Sequence, residues 1–216
     1  TTMKIIKPLA LAITTTSLLA ACSESTQQPS GPAADQAPAL SFEEDLQTQL
    51  IQAQPGDIIE IPAGVHEMTR SLSLSVPGVT IRGAGMAESI LSFSNQIQGA
   101  EGLLVTADNF VIEDLAIEDT IGDALKGNES NNVTIRRVRT EWTNGPDSEN
   151  GAYGIYPVQS SNVLIQEAVA IGAADAGIYV GQSTQIIVRD SRAEYNVAGI
   201  EIENSTFADL YDSVTP

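Results

Sequence analysis

The feature that most restricts this chain is a phrase it writes three times. "AYGIYPVQSSNVLIQ" at 152–166 is followed by "DAGIYVGQSTQIIVR" at 175–189 and "VAGIEIENSTFADLY" at 197–211. The same beat runs upstream. Ile81-Arg82, Ile112-Glu113, Ile135-Arg136, Ile165-Gln166, Val188-Arg189 and Leu210-Tyr211 each set an aliphatic residue before one with a polar group. These markers advance by 31, 23, 30, 23 and 22 residues, so the base period is 22–23 and two longer steps carry insertions. Three residues before each marker sit Gly78, Asn109, Asn132, Asn162, Gln185 and Phe207. An amide-rich column of this kind suits stacked turns, where side-chain amides bond along the stack.

A fixed short period means that one supersecondary unit is repeated and stacked. Short alternating strands at a period near 22 predict an all-β chain wound as a parallel β-helix of about six to seven coils. A leucine-rich repeat has a similar period, but its Leu-x-x-Leu-x-Leu pattern is absent. Successive coils would pair at ~4.8 Å, with like residues stacked on like. A second column sharpens the register. Leu103, Leu125, Ile155, Ile178 and Ile200 align and should face inward. Leu104, Lys126, Tyr156, Tyr179 and Glu201 follow them and should face outward, because strand side chains alternate. A short helix is expected to open the domain and cap one end of the stack. Ser41 and Glu44 have capping-box spacing, Phe42, Leu46, Leu50 and Ala53 form an apolar stripe, and Pro55-Gly56 stops it.

"PGDIIEIPAGVHE" at 55–67 and "LSLSVPGVTIRGAG" at 72–85 resemble entry coils of right-handed parallel β-helix (pectin-lyase-like) proteins. The resemblance covers roughly residues 41–216. It implies the fold; the superfamily spans polysaccharide lyases, hydrolases, epimerases and non-catalytic members. A narrower resemblance is to mannuronan C5-epimerases, which carry Tyr-Gly-Phe-Asp-Pro-His. The matching run here is Tyr153-Gly154-Ile155-Tyr156-Pro157-Val158. Tyr, Gly and Pro agree, but Tyr156 and Val158 stand where the Asp and His would be. Asp175 is similar in position to a further acidic residue of that family. Any implied lyase- or epimerase-like activity is therefore impaired, since the principal acid–base pair is missing.

The N-terminus has its own pattern. A basic start (Lys4, Lys7) and an apolar run ending near Leu18 are too short and interrupted to span a bilayer, and read as a signal peptide over 1–21. Leu19-Ala20-Ala21-Cys22 is similar to a bacterial lipobox. The resemblance implies cleavage before Cys22, lipidation on it and a place in the bacterial cell envelope; Ser23 implies the outer membrane. An ordinary secretory signal with an incidental Cys is the alternative. Residues 22–40, rich in Ser, Gln, Pro and Ala, read as a flexible tether, leaving 41–216 as the β-helix domain. The last coil shows no capping segment, so a C-terminally truncated solenoid is expected.

Charge narrows the partners. Ten Lys and Arg stand against 28 Asp and Glu, a balance that argues against nucleic acid. The outward column with Asp123, Tyr153 and Asp175 at its edge is the candidate site. Tyr153, Tyr156, Tyr179, Glu201 and Asp123 are expected to bind a polysaccharide or oligosaccharide, because aromatic faces stack on sugar rings and carboxylates bond hydroxyls. Lys126, Tyr153 and Asp175 are the catalytic candidates. The alternative is a plain exposed strand surface, on a non-catalytic envelope scaffold. Asp147 and Glu149, in the insertion "TNGPDSENGAY", could ligate Ca²⁺ without fitting a defined calcium loop; a solvated turn is the simpler reading, and no other cofactor is expected. Arg136, Arg137 and Arg139 are expected to pair with Glu113, Asp114 or Glu167. The pairs Glu113-Asp114 and Glu118-Asp119 read as solvated strand edges.

Overall fold

The computed structural model describes residues 40–216. The expected signal peptide, Cys22 and the tether as far as residue 39 lie outside the described residues. The helix α1 (Phe42–Gln52) begins with the anticipated capping box: Glu44 N donates to Ser41 Oγ at 3.3 Å, and Ser41 N donates to Glu44 Oε2 at 3.0 Å. Ser41 N and Ser41 Oγ, both donating to Glu44 Oε2 at 3.0 Å, hold the Glu44 carboxyl below its usual value. Leu46 and Leu50 are buried, with Phe42 and Ala53 against the same core. Glu43 is also buried, accepting from Thr69 N, Thr69 Oγ1 and Arg70 N at 2.8–2.9 Å. That carboxylate fixes the helix to the first coil, a tie invisible in the apolar stripe.

The rest winds in coils. The first carries β1 (Ile58–Glu60), β2 (Gly64–Glu67) and β3 (Arg70–Leu74); the second β4 (Thr80–Arg82), β5 (Ser89–Ser92) and β6 (Gln98–Val105). In the next two, one long strand bends across two faces: β7 (Val111–Glu118) then β8 (Leu125–Asn128), and β9 (Asn131–Glu141) then β10 (Tyr153–Val158). The fifth has β11 (Ser161–Gln166), β12 (Val169–Ile171) and β13 (Ala176–Gly181); the sixth β14 (Thr184–Arg189), β15 (Arg192–Glu194) and β16 (Ala198–Glu203). Strand β17 (Thr206–Tyr211) starts a seventh. All pairings are parallel. Face 1 runs β1-β4-β7-β9-β11-β14-β17, and face 3 runs β3-β6-β8-β10-β13-β16. Face 2 uses β2, β5, the second halves of β7 and β9, then β12 and β15.

The register follows the sequence alignment. Ile81 pairs Ile112, which pairs Ile135, then Ile165, Val188 and Leu210. Leu103, Leu125, Ile155 and Ile178 stack on face 3 and are 0–1% exposed. Both insertions are loops: residues 83–88 and 94–97 in the second coil, and 142–152 in the fourth.

Corners are turned by single residues in the left-handed region. Asn109, Asn132, Asn162, Gln185 and Phe207 form one such column, at φ between 51° and 59°. Asn tolerates this conformation better than most residues. Asn132 Nδ2 donates to Asn109 Oδ1 at 2.7 Å, and Asn162 Nδ2 to Asn132 Oδ1 at 3.1 Å. The expected amide ladder thus forms over three coils. A second ladder stands two residues earlier. Ser130 N, Ser160 N and Ser183 N donate to Ser160 Oγ, Ser183 Oγ and Ser205 Oγ at 3.0–3.2 Å. Each of those hydroxyls donates back to the carbonyl two residues before it. The repeated "QSS", "QST" and "NST" place a serine at each of these corners.

Candidate functional site

Face 3 presents one outward column: Leu104, Lys126, Tyr156, Tyr179 and Glu201 on successive strands β6, β8, β10, β13 and β16. At the spacing of parallel strands it covers about 19 Å. Its inner neighbours are buried aliphatics, so the backbone beneath is rigid.

Three tyrosine rings meet on this strip. Tyr153 lies 4.6 Å from Tyr156 and 4.7 Å from Tyr179 between centroids, and Tyr156 meets Tyr179 edge-on at 5.2 Å. All three are half-buried. Two glycines allow the arrangement. A Cβ on Gly154 would come within 2.5 Å of the Gly177 carbonyl oxygen, so any side chain there would push the coils apart. A Cβ on Gly181 would come within 2.5 Å of Tyr179 Cε1, so the ring lies in space that Gly181 leaves open.

Lys126 closes one side. Its Nζ is 4.9 Å above the Tyr156 ring, 3.4 Å from Asp123 Oδ2 and 3.7 Å from Glu101 Oε1. Burial raises the Asp123 carboxyl above its ordinary value, and the Lys126 charge only partly offsets this. Burial and the Asp175 carboxylate push the Tyr153 phenol up to about 12. Burial and Glu203, which accepts from the Tyr179 hydroxyl at 3.0 Å, push Tyr179 up to about 12. Both phenols are therefore neutral hydrogen-bonding groups near neutral pH. That works against Tyr153 as a proton-abstracting base. Lys126 is held between the two carboxylates of Asp123 and Glu101.

The expected site residues Asp123, Lys126, Tyr153, Tyr156, Asp175, Tyr179 and Glu201 thus share one strip and its edge. Glu101 and Glu203 were missed, and both join it. Glu203 is two residues beyond Glu201 in "GIEIE", so strand alternation alone could have found it. Glu101 lies on β6 at its register shift against β3, directly before Gly102 as Asp123 stands before Ala124, so the same column could have found it.

Other candidates fall elsewhere. Asp147 Oδ1 accepts from Glu149 N at 3.0 Å, a turn bond. Asn150 Nδ2 ties the 143–153 insertion to the carbonyls of Gly145 and Gly172, on the corner before face 3. Among the described residues no group of three or more His, Cys, Asp or Glu is placed to hold a metal. His66 stacks on Phe42 at 3.9 Å, far along the chain from the tyrosines. Arg136 and Arg137 pair as expected, Arg136 Nε with Glu113 at 2.5 Å and Arg137 with Asp114 at 2.6 Å, whereas Arg139 pairs with Glu118 at 2.5 Å and with Glu141, outside the expected partners.

Glu113 corrects the reading of a solvated edge. It is 1% exposed and also takes Arg82 Nε at 2.6 Å. It joins three coils, because the period carries Arg82 and Arg136 onto either side of it. Burial would raise its carboxyl, but the two arginine hydrogen bonds outweigh this and hold it below its usual value.

Three solved structures share the architecture. The chain superposes on a putative glycosyl hydrolase from Parabacteroides merdae with a TM-score of 0.61 at 14% identity, covering 81% of this chain and 86% of that one. An alginate lyase from Paenibacillus gives 0.57 at 20% identity, covering 79% and 63%. The A-module of the Azotobacter vinelandii mannuronan C-5 epimerase gives 0.56 at 17%, covering 82% and 52%. The chain thus spans less than two thirds of the lyase and about half of the epimerase module. At these identities the likeness is one of fold. No curated protein matches in sequence. Residues 75–214 match the model of the right handed beta helix region, and with the coil register above this places the chain in that family.

Proposed function

We propose that the protein binds or processes carbohydrate along the Tyr153–Tyr156–Tyr179 strip, held at the bacterial cell envelope by lipid on Cys22. The observation that carries this reading is the convergence of three ring faces, one cation and several carboxylates on one rigid strip. Aromatic faces cover the apolar faces of sugar rings, and flanking carboxylates take hydroxyl hydrogen bonds. Fold neighbours whose names are alginate lyase and mannuronan C-5 epimerase add support. Glycan-array binding should be present and should be lost in a Tyr156→Ala, Tyr179→Ala double variant. Binding that survives the double variant would place the ligand elsewhere.

Binding without turnover is the form favoured by this site. The phenols stay protonated, Lys126 is paired, and Tyr156 and Val158 replace the Asp and His of the similar epimerase motif. A lyase screen on uronic polysaccharides, with and without Ca²⁺, should yield no unsaturated products; their appearance would restore a catalytic role. Calcium is included because the oxygen-rich 143–153 insertion is its candidate ligand source.

A scaffold role is the second reading. It is favoured by the shallow groove of about 400 Å³ on face 1, lined by Leu164, Ile187 and Phe207, with Phe207 82% exposed. Anchoring is tested separately. Among the described residues no helix is long and apolar enough to cross a membrane. Cys22→Ser should release the protein from the membrane fraction and abolish the mass increase of acylation.

A further inference from the structure

We infer that the glycan taken by the tyrosine strip is an amine-bearing one, a polymer containing hexosamine units with free amino groups, and not a polyuronate. This rests on the carbohydrate reading above and assigns the substrate class of the same site.

The argument is one of charge at close quarters. Glu101, Asp123, Asp175, Glu201 and Glu203 surround the rings, against the single cation Lys126. Lys126 is committed to Glu101 and Asp123 at 3.7 and 3.4 Å. Asp175, Glu201 and Glu203 have no cationic partner among the described residues. Two of them are held against phenols: Asp175 beside Tyr153, and Glu203 accepting from Tyr179. A uronate chain lying on the rings would bring its carboxylates against these three. An amino sugar would bring ammonium groups to the same places, where each finds a carboxylate. The ring faces add to this, because tyrosine attracts cations over its face, and Lys126 already sits so over Tyr156 at 4.9 Å. Neutral phenols at Tyr153 and Tyr179 add no further repulsion of any ligand. The chain as a whole, at a net charge of −18, draws a cationic polymer in and turns a polyanion away.

The test compares hexamers of glucosamine, N-acetylglucosamine and galacturonate by calorimetry at low salt. Glucosamine should bind about tenfold or more tightly than its N-acetylated form, and galacturonate should not bind. The preference should shrink as salt rises past ~0.1 M, where screening acts over ~10 Å. Glu201→Gln with Glu203→Gln should bring the two amino-sugar affinities together, with melting curves confirming the fold. Equal binding of those two hexamers, or galacturonate binding as tightly as glucosamine, would overturn the inference and leave carbohydrate binding standing. Glucosamine binding that survives Tyr156→Ala, Tyr179→Ala would show general attraction to an acidic surface, and overturns it as well. Failure of all three hexamers, and of a wider array, would overturn the carbohydrate reading itself.

Discussion

Tyr179 shows how much a single residue depends on what is missing beside it. Its ring lies over Gly181, where any Cβ would intrude to 2.5 Å. Gly181→Ala should tilt the ring out of the triad and weaken sugar binding several-fold with little loss of stability, measured as Kd beside a melting curve. Asp123 sits in tension with the fold. Burial raises its carboxyl, so ionising it at neutral pH costs stability. The sign follows: a raised native pKa contributes stability that is present below the ordinary value of 3.8 and lost as pH rises through the native value. Asp123→Asn should therefore raise Tm at pH 7, by about 1 °C or more, and the gain should vanish in acid. Sugar binding should weaken in the same variant, since Lys126 loses its nearer partner.

At the scale of elements, ladders along the corners hold the coils in step. Ser160 accepts from Ser130 N and donates to the Val158 carbonyl. Ser160→Ala leaves a buried donor unsatisfied and should cost about 1–3 kcal/mol in chemical denaturation. Asn132 separates ladder from backbone. At φ 58°, Asn132→Ala meets the left-handed penalty of about 1–2 kcal/mol, whereas Asn132→Gly avoids it and loses only the exposed amide bonds. Similar losses for both variants would mean that the side-chain ladder, not the backbone, is what counts. The Asn column was legible because it stands in register with the apolar marker. The Ser ladder was equally regular, but serine is common in loops, and its bond to the next coil depends on a corner geometry that sequence does not display. Glu113 was misread for a related reason: a carboxylate on a strand reads as exposed unless its partners, 31 residues before and 23 after, are stacked on it.

For the whole molecule, acid is the discriminating stress. Glu113 and Asp114 are both held below their ordinary values, Glu113 against its burial and Asp114 chiefly by the Arg137 hydrogen bond. A depressed native pKa contributes stability that is full above the ordinary values of 4.5 and 3.8 and is lost as pH falls through the native ones. The wild type should therefore lose stability on acidification below the ordinary carboxylate range. Glu113→Gln, which keeps one acceptor oxygen, should be less stable by about 1–3 kcal/mol at pH 7, with a flatter acid limb. An unchanged acid limb in that variant would show that the three-coil arginine cluster is not the acid-sensitive tie.

Periodicity alone determined the winding of this chain. In a solenoid every residue has one neighbour a fixed step away on either side, so the marker spacing already states the pairing, and strand alternation states which side chains face out. The tyrosine column, Lys126 and Glu201 followed from that arithmetic. What only the tertiary structure decided was distance within a face and burial at the corners. Rotamers, not register, bring Tyr153, Tyr156 and Tyr179 to within about 5 Å of one another. Strand β6 brings Glu101 beside Lys126 of the next coil, and stacked arginines turn Glu113 from a surface charge into a buried tie. Each depends on side-chain contact across coils, where the repeat sets the backbone spacing and the particular side chains decide what fills it.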